Sequence, residues 1–199
     1  AVNLPGEAKK SNVLDRFGIV PNNYVVFMGR LVKDKNPDCL VKGFIDSDYK
    51  NKQLVICGCA APGSTFEDEL HQMAARCRNV IFTGAIFGDD KDAVLRNAWA
   101  YCLPSTIEGL PISLLEAMSY GKVCIASDIP ANREALGENG IWVDKESPED
   151  ITKALNNLYT HYDELKWQGD ANLERVKRDF SWKCKAKQYE IFINKVMGK

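Results

Sequence analysis

Short apolar runs recur along the chain, each closed by glycine or a polar turn and followed by a stretch with helical spacing. Residues 24–28 are wholly apolar and end at Gly29, which reads as a buried strand. Asn36, Pro37 and Asp38 read as a helix start, with a cap, Pro at the first helical position and an acid in the first turn. Leu40, Val41, Phe44 and Ile45 follow at the helical period. The unit then repeats. Residues 54–58 form a second strand, and Ser64 with Glu67 sets up a capping box for a helix striped by Leu70, Met73, Ala74 and Cys77. Residues 80–82 are a third strand and 89–97 a third helix. Residues 100–103 are a fourth strand and 111–120 a fourth helix, with further strands at 123–126 and 141–143. Continuous apolar strands alternating with helices predict a parallel sheet covered on both faces, an α/β three-layer sandwich of about six mostly parallel strands. From Ser147, Pro148, Glu149 and Asp150 onward only helices are expected, the last striped by Tyr189, Phe192, Ile193 and Val196. Residues 1–23 are polar and carry Pro5, Gly6, Gly18 and Pro21. They read as a linker with a short helix at 7–17, leaving 24–199 as the domain.

Composition narrows the function classes. The 199 residues carry 26 basic and 27 acidic side chains, so bulk charge names no polyanionic partner and any phosphate site must be local. No nucleic-acid motif appears. No apolar run reaches the ~20 residues a membrane span needs, and the start lacks a signal pattern. Seven cysteines in apolar surroundings, an odd number, read as reduced thiols in a cytoplasmic protein. Cys57 and Cys59 have no partner pair at zinc spacing, so no metal site is expected. The first residue is Ala, which suggests a chain processed or cut from something longer.

In an open parallel sheet, ligands bind beyond the carboxyl ends of the strands. The loop after the first strand carries Arg30 and Lys35 into a helix N-terminus. That pair is either a diphosphate clamp or a solvated basic loop. The loop after the fourth strand ends in Gly109, Leu110 and Pro111. Pro111 fits the first helical position, Gly109 admits a close ligand, and the free N–H groups there make an anion site. Glu116 lies in an otherwise apolar helix and should be substantially buried, so it needs partners. These are sugar or ribose hydroxyls, or else a structural Lys or Arg, or backbone N–H groups. Glu108 would sit at the pocket mouth, as a sugar contact or as an exposed loop acid.

In order and spacing, Gly29-Arg30-Leu31 with Lys35, the strand ending in Gly58, and Thr83-Gly84 after the third strand, joined to Pro104-Ser105, Glu108-Gly109-Leu110-Pro111, Leu115-Glu116-Ala117-Met118 and Gly121, resemble the family-four retaining glycosyltransferases of GT-B fold. The likeness runs through most of residues 20–195. It implies the Rossmann-like, donor-binding C-terminal domain of such an enzyme, with the N-terminal acceptor domain absent from the chain. Arg30 and Lys35 would hold the donor diphosphate at Gly29, and Glu116 would accept from ribose hydroxyls. Glu108 would contact the donor sugar, and the backbone N–H groups near Gly109, Leu110 and Pro111 would hold sugar or phosphate. Thr83, Gly84 and Ile86 would border the base. The resemblance further implies transfer of a hexosyl group with retention, from a UDP-sugar first, a GDP-sugar second and an ADP-sugar last. It implies no metal and no cofactor, and a glycan or lipid-linked acceptor. The chain departs from the family pattern at Asn36, where Gly is usual, at 59–63, where an acid and a second Gly are usual, and at 130–134. Those departures bear on the shape of the donor pocket.

The last helix resembles the segment that returns to the N-terminal domain, so its stripe should be exposed alone, or hidden in a weak homodimer. His71 and His161 read as structural or solvated. Trp99, Trp142, Trp167 and Trp182 read as core or interface packing residues rather than sugar platforms. Residues 175–178 read as a solvated basic face, or a contact to an anionic membrane inner surface if the acceptor is a lipid. Three other functions fit the pattern less fully: a non-catalytic nucleotide-sugar module, a GT-B epimerase fragment, and a receiver-like signalling domain. The last would need acids at the strand ends, where Arg30 stands instead.

Overall fold

The computed structural model describes residues 1–48 and 51–197. Among them six parallel strands form one sheet: β1 (Tyr24–Met28), β2 (Gln53–Cys57), β3 (Val80–Gly84), β4 (Ala100–Leu103), β5 (Val123–Ser127) and β6 (Ile141–Val143). Their order is β3-β2-β1-β4-β5-β6. The chain steps outward from β1 through β2 to β3, then returns to β4 on the other side of β1. The carboxyl ends of β1 and β4 therefore form the switch point where the loops part and leave a crevice.

The strands are buried because both faces are covered. A short α1 (Val13–Phe17) precedes the sheet, and α2 (Pro37–Asp46), α3 (Phe66–Ala74), α4 (Gly88–Asn97), α5 (Ile112–Ser119) and α6 (Pro130–Leu136) connect its strands. Three further helices close the chain: α7 (Pro148–Leu165), α8 (Trp167–Arg175) and α9 (Trp182–Val196). Contacts sort them into two layers, α2 with α3 and α7, and α1 with α4 and α5 with α8. β1, β4 and β5 are buried at every position, in keeping with sequences that are apolar but for Ser127 at the end of β5. The Rossmann-like α/β/α reading of the sequence therefore holds.

The opening residues 1–23 differ from a bare linker. Val2, Val13 and Ile19 are buried, and the Val2 N–H donates to Phe180 O at 2.9 Å. The segment is thereby tied to a π-helical turn at Val176–Phe180. The expected helix at 7–17 is confined to Val13–Phe17, where Val13 is buried and Leu14 and Phe17 pack against the core.

Several local signals resolve differently from their pattern. Asn36 is not a side-chain cap. It sits in the left-handed region at φ 49°, a conformation Asn tolerates better than most residues. The Ser64/Glu67 box is opened: Glu67 Oε2 accepts from Ala60 N at 2.8 Å, and Ser64 Oγ accepts from Phe66 N. Ser147 does cap α7, accepting from Asp150 N at 3.2 Å.

Two of the four tryptophans pack as expected. Trp99 stacks on Tyr162 at 4.5 Å, and Trp142 lies under the Arg133 guanidinium. Trp167 and Trp182 lie outside the core and are exposed. Arg175 is not part of a solvated face. Its guanidinium donates to Ala135 O and Glu134 O and closes the end of α6, whereas Lys177 and Arg178 pair with Glu174 and Asp179 at the surface. His71 rests against Phe82, and His161 marks a kink in α7. Cys57, Cys102 and Cys124 are buried, and burial pushes the Cys57 thiol up to about 12. No helix among the described residues is long and apolar enough to cross a membrane. No residue of α9 is buried; Tyr189, Phe192, Ile193 and Val196 all face outward.

Candidate active site

The two loops of the crevice are laced to each other and to the loop after β2. Gly29 N donates to Cys57 O and Leu31 N to Cys59 O, both at 3.0 Å. Gly58 makes this approach feasible, because a Cβ there would lie 1.8 Å from the Gly29 carbonyl oxygen. Across the switch point, Asn36 Nδ2 donates to Pro104 O at 2.9 Å and Thr106 N to Asp34 O at 2.8 Å. Below the second loop runs a buried polar chain. Asn132 donates to Ser127, whose hydroxyl donates to Ser105 O, and all three are fully buried. A buried hydrogen-bonded chain of this kind holds a loop in one place.

Lys35 and Glu108 form an ion pair at 2.5 Å, and Ser105 Oγ donates to the same carboxylate oxygen at 2.8 Å. The Glu108 side chain is only 9% exposed. Glu108 is therefore a held, paired acid rather than an exposed loop acid. Glu116 is the reverse case. Its side chain is buried only in part, 27% exposed, and it has the structural lysine partner that the sequence reading held as an alternative, Lys91 at 2.6 Å. The reason is geometric: α5 buries Leu114, Leu115, Ala117 and Met118, and Glu116 falls on its open side. Pro111 is also displaced by one position, standing at the N-cap with Ile112 opening the helix. Arg30 is exposed and makes no side-chain hydrogen bond or ion pair among the described residues.

These groups share one cleft. A cavity of about 370 Å³ is lined by Gly29, Arg30, Gly58, Ile86, Lys91 and Glu116. Beside it a second hollow of about 250 Å³ is lined by Lys35, Glu108, Gly109 and again Arg30. Arg30 thus lines both. Thr83, Gly84, Leu110 and Pro111 line neither space. The Thr83 hydroxyl donates to Gly84 O at 2.9 Å, and Leu110 turns to solvent. No group of three or more possible metal ligands occurs among the described residues. The sequence reading missed Lys91, Gly58 as a cavity wall, and Phe87, which is 77% exposed at the cavity rim. Nothing in the local pattern marks Lys91, because its partner is 25 residues away.

A family model described as glycosyl transferases group 1 matches residues 15–172, most of the chain. The chain belongs to this glycosyltransferase family. An uncharacterized glycosyltransferase of Methanocaldococcus jannaschii is 28% identical over 86% of the chain, which covers 45% of that relative. The chain thus spans about half the length of the curated relatives it matches. HepE of Anabaena, solved with UDP and glucose, superposes with a TM-score of 0.82 at 19% identity, covering 93% of this chain and 52% of that one. The C-terminal domain of a group 1 glycosyl transferase from Francisella tularensis superposes with a TM-score of 0.78 at 23% identity, covering 92% of this chain and 100% of that domain. The glycosyltransferase fold here is therefore that of a C-terminal GT-B domain.

Proposed function

We propose that this chain is the donor-binding domain of a retaining glycosyltransferase that moves a hexosyl group from a nucleoside diphosphate sugar to a glycan or lipid-linked glycan. The observation that carries the reading is the free Arg30 guanidinium shared by two adjoining hollows, with a carboxylate–lysine pair in each. A diphosphate spanning the two hollows would meet Arg30 along its length. That leaves the nucleoside toward Glu116 and Ile86, and the sugar toward Glu108 and Gly109. Binding of UDP and glucose by HepE supports the same class of donor. UDP is favoured over GDP on family frequency.

In this reading Arg30 and Lys35 stabilise the negative charge that grows on the departing diphosphate, in place of a metal ion. The bond from the sugar's anomeric carbon to diphosphate oxygen breaks, and a bond to the acceptor oxygen forms on the same face. The acceptor's proton passes to the departing phosphate. Glu108, held by Lys35 and Ser105, accepts from a donor-sugar hydroxyl or faces the positive charge developing on the ring. Glu116 accepts from the ribose. The missing half supplies acceptor contacts, so the 199-residue chain alone should transfer no sugar. Detectable transfer by the purified chain would contradict that.

Calorimetric titration with UDP, GDP and ADP tests the donor reading. One diphosphate should bind, and Glu116→Ala should weaken it about 5- to 10-fold, the scale of a hydrogen bond to a charged group that is partly solvated. Failure of all three to bind at millimolar concentration, to this chain and to its full-length parent, would rule the reading out.

A further inference from the structure

The carboxylate assigned to the ribose is already occupied. Lys91 Nζ donates to Glu116 Oε1 at 2.6 Å, and the two side chains are 33% and 27% exposed. Lys91 comes from the first turns of α4 and makes no other ion pair among the described residues. The pair stands on a boundary. It lines the 370 Å³ cavity with Arg30 and Ile86, and it also lines a groove of about 710 Å³ between residues 3–9 and the helices α4 and α5. That groove carries three further acids, Glu7, Asp89 and Asp92.

We propose that Lys91 is a displaceable placeholder on Glu116 and sets how strongly the site distinguishes ribose from a sugar lacking its hydroxyls. The inference rests on the reading of Glu116 as the ribose acceptor. A vicinal diol donating to a carboxylate uses both of its oxygens, and Lys91 holds one of them. In the empty site the ammonium keeps the carboxylate satisfied. When the diol arrives, Lys91 swings into the open groove, where Glu7 offers it a new acceptor while Asp89 and Asp92 are held by Lys9 and Arg96. Neither side chain is locked by burial, so the exchange needs no movement of α4 or α5. A ligand with the diol must break the ion pair; a ligand without it leaves the pair intact. Lys91 therefore narrows the preference for ribose.

The test compares UDP with 2′,3′-dideoxy-UDP, and GDP with its dideoxy analogue, by calorimetry. The readout is the ratio of the dideoxy Kd to the ribose Kd, in which any attraction of Lys91 for the diphosphate cancels. Lys91→Met should raise that ratio about two- to fivefold, the range of a partly exposed ion pair. Lys91→Arg should return it toward wild type, and Glu116→Ala should bring it to one. An unchanged or lowered ratio in Lys91→Met, with Glu116→Ala at one, overturns the placeholder role alone. A ratio of one in the wild-type chain overturns the ribose role of Glu116 and the placeholder with it. Absence of any nucleotide binding overturns the donor-site reading and this inference together.

Discussion

Arg30→Ala is expected to weaken binding of the nucleoside diphosphate about 10- to 100-fold, the value of a charge-assisted contact made by a forked cation. The effect should be large because Arg30 has nothing else to do. Lys35 and Lys91 are each neutralised by a carboxylate at 2.5 and 2.6 Å, whereas Arg30 makes no such pair among the described residues. An alanine there leaves no orphaned protein partner, so folding stability should stay within ~0.5 kcal/mol of wild type. Arg30→Lys should recover only part of the affinity, since an ammonium cannot bridge two phosphate oxygens as a planar fork does. Calorimetry gives the affinity and thermal unfolding the stability. An affinity unchanged in Arg30→Ala would remove Arg30 from the site.

Gly58→Ala should be the most damaging substitution of a single small residue in the cleft. The added Cβ would fall 1.8 Å from the Gly29 carbonyl oxygen, well inside contact distance and against backbone rather than a flexible side chain. The loops after β1 and β2 must part, and the Gly29–Cys57 and Leu31–Cys59 hydrogen bonds lengthen or break. A loss of about 1–3 kcal/mol is expected from overpacking, more if both bonds go. Because Arg30 hangs on that loop, nucleotide affinity should fall in step with stability. Gly109→Ala is the control. It has nothing within 4 Å of its Cβ position, so the fold should tolerate it. Equal unfolding midpoints for Gly58→Ala and wild type would contradict this description of the crevice.

Much of this was written in the sequence because strand burial is a local signal. Apolar runs such as Leu54-Val55-Ile56-Cys57 need only be counted to be placed in a covered parallel sheet, and the switch point then says which loops face the crevice. Arg30, Lys35 and Glu108 could be placed on loops beyond strand ends in the same way, but only the family resemblance made them the favoured candidates for the site. What stayed hidden depends on distant partners. Glu116 looked buried from its apolar neighbours, but the facing of one side chain in an eight-residue helix turns on where the helix begins. Pro111 proved to stand one position earlier than expected. Lys91 carries no local mark at all. Likewise the opening residues look like linker by composition, and only Phe180 and Trp182, far along the chain, reveal why Val2 is buried.

The most direct test of the donor-site reading is a crystal structure of this chain grown with UDP. The expected result has the diphosphate against Arg30 and Lys35, the ribose on Glu116 with Lys91 turned away, and the base beside Ile86. A nucleotide ordered elsewhere, such as in the groove beneath residues 3–9 with Arg30 still empty, would contradict it.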